Sequence, residues 1–200
     1  MEDAFYILYK LVHQMDISFE GSIEIGFFQE REPIEYSDGL VSVVAEDTVA
    51  DSGRYIQYDN GDIEIAIEEK QLGNPIALIA TLAHELAHFK LLGEKRIAVN
   101  DEILTELVVL IYGIGVFNAN SSIAKMHTLS NNVSSGWKIM GVGGYLDSKL
   151  HGFALALYAS YRKEINPSWV SFLEPDILRE FKKSSKYIND NPEEVRFTNK

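Results

Sequence analysis

The sequence predicts an α+β fold, and three observations carry that expectation. From Ser22 to Lys70 the apolar residues alternate with period two, the spacing of half-buried strands. Before and after that stretch they recur with helical spacing. Directly behind the strands stands a nearly all-apolar segment, Ile76 to Leu92, bounded by residues that start and stop helices.

Residues 4–15 put Phe5, Leu8, Leu11, Val12 and Met15 on one side, as in a packing helix, with His13 at the surface. Strands are expected at Ser22–Phe28, Leu40–Ala45, Arg54–Tyr58 and Ile63–Ile67, separated by Pro33, Ser37-Asp38-Gly39 and Asp51-Ser52-Gly53. Asp59-Asn60-Gly61-Asp62 marks a hairpin, because Asn-Gly accommodates positive φ. A small twisted, mostly antiparallel sheet of three to five strands follows. Ile63, Ile65 and Ile67 share one face of their strand. Were that strand an edge over a cleft, its free backbone could pair with an extended peptide.

Asn74 can cap the next helix, Pro75 suits its first position and Gly93 is the expected stop. After Glu94-Lys95-Arg96 a second long helix is expected from about Val99 to Phe117. Residues 118–144 read as a long loop, of the kind that forms lids and binding loops, and contain His127 and Trp137. Helical spacing resumes from Tyr145 to Tyr161, with Leu150, Phe153, Ala154, Leu157 and Tyr158 on the buried side, and again from Pro167 to about Tyr187. The polar tail begins near Asn189. Residues 1–118 would form the core, with 119–200 a loop and helical part packed on the same domain.

At 200 residues, with 46% apolar and 24% charged side chains, the chain has the composition of a globular domain. A formal charge of −12 and the lack of any Lys/Arg cluster argue against nucleic-acid or anionic-membrane partners. Cysteine is absent, so a bound metal would draw on His and carboxylates. Met1-Glu2-Asp3 opens acidic and His13-Gln14 ends the first apolar run early, unlike an export signal. The best apolar run, Ile103 to Phe117, is interrupted by Thr105, Glu106 and glycines. A cytoplasmic location is the expectation.

The apolar helix contains His84-Glu85-Leu86-Ala87-His88. Histidines four apart project from one helix face and can grip a single ion. Glu85, about 100° round the helix from His84, flanks that ion, where a base acting on a metal-activated water belongs. On the second helix Glu102 and Glu106 are again four apart; the helix dipole accounts for Asp101, but poorly for Glu106 among Leu104, Leu107, Val108 and Leu110.

His84-Glu85-x-x-His88 followed by Asp101-Glu102-Ile103-Leu104-Thr105-Glu106 resembles the gluzincin group of zinc peptidases, the thermolysin-like enzymes, in a compact intracellular version. The likeness covers residues 60–117. It implies a zincin-like fold and Zn2+ held by His84, His88 and Glu102, with Glu106 orienting His84 from outside. The group's signature reads Asn-Glu-x-x-x-Asp, so Asp101 and Glu106 depart from it, and the short link leaves Glu106 as an alternative third ligand. The resemblance also implies a donor to the oxyanion of the tetrahedral intermediate. His151 is the first candidate, with Asp147 one turn before it; Tyr145 and His127 come after.

The expected activity is zinc-dependent hydrolysis of a peptide bond in a peptide or protein substrate, with Glu85 as general base. The alternative is a non-catalytic, metal-stabilised binding or regulatory protein on the same scaffold. Two imidazoles and a carboxylate also suit iron or manganese.

Overall fold

Helix α1 (Glu2–Gln14) opens with Glu2 and Asp3, whose charges suit the positive end of a helix dipole. Ala4, Leu8 and Leu11 are buried, as is Met15 just past its end. Phe5, expected on that side, is half exposed, because it stands a full 100° step from Ala4. The computed structural model describes residues 2–29, 53–122 and 146–195. The expected strand Leu40–Ala45, the turns at Pro33 and Ser37-Asp38-Gly39, most of the 118–144 loop, and His127, Trp137 and Tyr145 lie outside them.

Strands β1 (Ile23–Phe28), β2 (Gly53–Gln57) and β3 (Ile63–Glu68) form a sheet in the order β1-β3-β2. β2 and β3 make the expected antiparallel hairpin, Gln57 opposite Ile63, with Gly61 at φ 88° in its turn. β1 pairs with β3 in parallel, Ile23 beside Ile63. Asp62 fixes that register by accepting both the Ser22 N–H (2.8 Å) and the Ser22 hydroxyl (2.9 Å). The sheet is therefore mixed rather than mostly antiparallel. β3 is its centre and not an edge, so both sides of its backbone are occupied and no peptide can pair along 63–67. Burial of Ile63, Ile65 and Ile67 against the helices explains why this strand takes the middle.

Helix α2 (Pro75–His88) starts as its sequence predicts: Pro75 occupies the first turn and the Asn74 side chain accepts the Ala77 N–H at 3.2 Å. It runs on through a π turn, Phe89–Gly93, and ends there. A Cβ at Gly93 would lie 2.5 Å from the Phe89 ring and 2.8 Å from the Tyr55 hydroxyl, so this stop must be glycine. Leu78, Leu82, Ala83, Leu86 and Ala87 pack with the three β3 isoleucines and with Leu8, Leu11 and Met15 in the main core. Buried Lys90 donates to the Asp16 carbonyl and pairs with Glu94 at 2.9 Å, tying the end of α2 to the end of α1.

Helix α3 (Glu102–Val109) is capped by Asp101, whose carboxylate accepts the Leu104 N–H at 3.0 Å. A π turn, Leu110–Ile114, follows, and Gly113 leaves helical geometry at φ 84°. Helix resumes over 115–122, so the expected unbroken helix to Phe117 is broken, and Asn118–Ser122 is helical rather than loop. Twelve residues of straight helix would span about 18 Å, yet Asn118 hydrogen-bonds Glu106. The chain therefore bends back at Gly113. An L-residue there meets the left-handed penalty, so Gly113→Ala is expected to lower stability by about 1–2 kcal/mol, read as a lower denaturant midpoint with unchanged slope.

By length and composition Pro75–Gly93 and Glu102–Ser122 could each cross a membrane. In this fold the first is mostly buried core and the second is no straight rod.

Helix α4 (Ser148–Tyr161) is capped by Asp147, which accepts the N–H groups of Lys149 (2.9 Å) and Leu150 (2.8 Å). Its buried side holds His151, Gly152, Leu155, Ala156 and Ala159, while Leu150, expected inside, is half exposed. Small residues set this phase: a Cβ on Gly152 would lie 2.7 Å from the Phe181 backbone nitrogen, so α4 meets helix α5 (Pro175–Asp190) at its glycine. The expected last helix from Pro167 is two pieces, a 3-10 turn at Ser168–Phe172 and α5, divided at Leu173 and Glu174 and restarted by Pro175. Leu110, Ala119, Leu155, Ala156, Ile177 and Phe181 form a second core. Asn120 ties 115–122 to it, donating to the Phe172 carbonyl (2.8 Å) and accepting the Glu174 N–H (3.0 Å).

Candidate metal centre

The four-residue interval on α2 sets the His84 and His88 ring centroids 4.7 Å apart. Their Nε2 atoms lie 3.1 Å from each other. Glu102, the first residue of α3, brings Oε2 to 3.2 Å from His84 Nε2 and 3.4 Å from His88 Nε2. Two imidazole nitrogens and a carboxylate oxygen aimed at one point surround it with electron density that a proton or a cation must neutralise. Ligands 2.0–2.1 Å from a tetrahedral centre stand about 3.3–3.4 Å apart, close to all three sides of this triangle. The group His84, His88 and Glu102 could hold a metal ion. Among the described residues no fourth His, Asp or Glu joins it. Its side chains remain 18%, 11% and 26% exposed, so the triangle is not sealed from solvent.

Neighbouring side chains fix two of the donors. Asn100 donates to Glu102 Oε1 at 2.6 Å, which leaves Oε2 for the triangle. Glu106 is on the other side of the His84 ring, its Oε1 3.6 Å from Nδ1. Were a cation to take the place of the Nε2 proton, that carboxylate would favour keeping the remaining proton on Nδ1, with the Nε2 lone pair turned into the triangle. Glu102 thus lies in the donor triangle and Glu106 behind it.

The electrostatics follow the same layout. Burial acts to lower the His84 pKa, but the hydrogen bond to Glu102 and the charges of Glu85, Glu106 and Glu102 outweigh it, holding it above the ordinary imidazole value. Burial, with the neighbouring His84, pulls His88 below that value. The hydrogen bond from His84 is the main reason the Glu102 carboxyl sits below its usual range, against the opposing effect of burial.

Glu85 is buried on α2 beside β2. A Cβ at Gly53, the first residue of β2, would lie 2.5 Å from Thr81 Cγ2 and 2.8 Å from Glu85 Oε1. The strand can therefore cross Glu85 only where it has no side chain.

His151 is 1% exposed, its Nε2 has no hydrogen-bond partner, and burial lowers its pKa despite the charges of Glu106 and Asp147. Asp147 spends its carboxylate on capping α4. The His151 ring is therefore enclosed among its neighbours rather than solvent-facing.

Sequence reasoning missed Asn100, Gly53 and Asn118. Asn100 carried a legible signal, an amide directly before Asp101-Glu102; the other two act only through contacts far along the chain. Compared with family models, with characterised proteins and with solved structures, the chain matches none.

Proposed function

We propose that this protein is a zinc-dependent peptidase with a compact zincin-like fold. The observation that carries the reading is the triangle of His84, His88 and Glu102, with Glu85 next in the chain after its first corner and its charge acting on that imidazole. A divalent cation bound there supplies a Lewis acid that activates water and polarises a peptide carbonyl. The chain's own residues do the rest. Glu85 takes the proton of the attacking water and returns it to the leaving amine. Glu106 keeps the His84 proton on Nδ1, and Asn100 turns one oxygen of Glu102 inward. Two imidazoles and a carboxylate favour zinc, and metal analysis distinguishes it from iron or manganese.

β2 starts directly beside Glu85. Among the described residues its far edge is unpaired, and an extended peptide laid along it would bring a scissile bond beside Glu85.

The test is cleavage of a proteome-derived peptide library by the metal-reconstituted protein, with new termini read by mass spectrometry. Cleavage that disappears with a chelator supports the reading. A protein that binds one zinc per chain and generates no new termini is instead the non-catalytic, metal-stabilised scaffold.

Gly53→Val gives a second check on the geometry. The added side chain must displace Glu85, and a misplacement of about 1 Å costs roughly 10²-fold in turnover. Bound metal is expected to remain stoichiometric, since none of the three donors touches Gly53 in that contact. Wild-type turnover in this variant would remove Glu85 from the reaction path.

A further inference from the structure

Glu106 is 3% exposed and Asn118, its partner, is also buried. A carboxylate in such a place is unstable unless donors hold it. One oxygen of Glu106 lies 3.6 Å from His84 Nδ1 and the other accepts the Asn118 Nδ2 amide, so that amide is the hydrogen bond that sets the carboxylate plane. We propose that Asn118 is a positioning residue for the metal centre, acting through Glu106 on the His84 ring; the inference rests on the metal reading above.

On a continuous helix Asn118 would stand about 18 Å from Glu106. The left-handed Gly113 bends the chain so that 115–122 returns towards α3, and Asn120 anchors that segment to the second core. The Asn118 amide thereby links the second core to the orientation of a metal-facing imidazole. If the amide is removed, the Glu106 side chain loses the hydrogen bond that fixes its plane. His84 then loses the fixed partner that holds its proton on Nδ1.

The experiment measures zinc affinity by chelator competition for the full chain, Asn118→Leu, Glu106→Ala and the double variant, with circular dichroism and melting of each. Asn118→Leu, close in size but without a donor, is expected to bind zinc about 10–100-fold more weakly. In the Glu106→Ala background the same change is expected to alter affinity by less than about twofold, because there is nothing left to orient. Should Asn118→Leu fail to fold, Asn118→Ala takes its place with the same expected pattern. An affinity within about twofold of wild type, or an equal loss in both backgrounds, overturns the proposal. A wild-type chain that takes up no metal overturns this proposal and the metal reading together. Tight binding by both wild type and Asn118→Leu overturns this proposal alone.

Discussion

Replacing Glu85 by Gln is expected to slow peptide hydrolysis by about 10²–10⁴-fold while leaving one zinc ion per chain, the range for loss of a positioned general base. Gln has nearly the shape of Glu, and Glu85 is buried between α2 and the start of β2, where Gly53 and Thr81 crowd its carboxylate. The substitution therefore keeps the packing and removes the proton acceptor. Glu85 belongs to no side of the donor triangle, so metal content is not expected to fall. Activity is read as new termini from the peptide library, and metal as zinc per chain in the same preparation. A rate within about threefold of wild type would mean that another group takes the proton. Loss of the metal together with the activity would place Glu85 among the ligands instead.

What could be read from the chain in advance was what neighbouring residues decide among themselves. Asn74 and Pro75 start α2 by local rules of helix ends, whereas Gly93 stands at its close because the Phe89 ring and the Tyr55 hydroxyl leave no room for a side chain. The Asn60-Gly61 turn requires positive φ, and β2 and β3 pair across it. The interval between His84 and His88 fixes their shared face without reference to the rest of the fold.

What could not be read depends on partners distant in sequence. β3 became central because β1, some forty residues earlier, adds to its free side in parallel. The phase of α4 is set by Gly152 against α5, so Leu150 turns outward although it is the more apolar residue. Gly113 looks like one more small residue in an apolar helix until its φ is known. That single left-handed residue turned the expected loop at Asn118 into a helical segment and brought a second amide to the metal site.

Glu102→Ala and Glu106→Ala are expected to separate a ligand from its support. The two nitrogens of an imidazole point away from each other, so a carboxylate at Nδ1 cannot also meet an ion at Nε2. Glu102 Oε2 is within 3.4 Å of both Nε2 atoms, whereas Glu106 Oε1 approaches His84 at Nδ1 only. Structural zinc sites with four ligands bind with about 10–16 kcal/mol, so one ligand accounts for roughly 2.5–4 kcal/mol. Glu102→Ala is then expected to weaken zinc binding by about 10²–10³-fold. Glu106→Ala leaves all three donors in place and is expected to weaken it by about 10–100-fold. Both affinities fall as pH drops through the imidazole range, because protons compete for the same nitrogens. Chelator competition at one pH gives the order directly. A larger loss for Glu106→Ala than for Glu102→Ala would exchange the two roles and move the metal to the other side of the His84 ring.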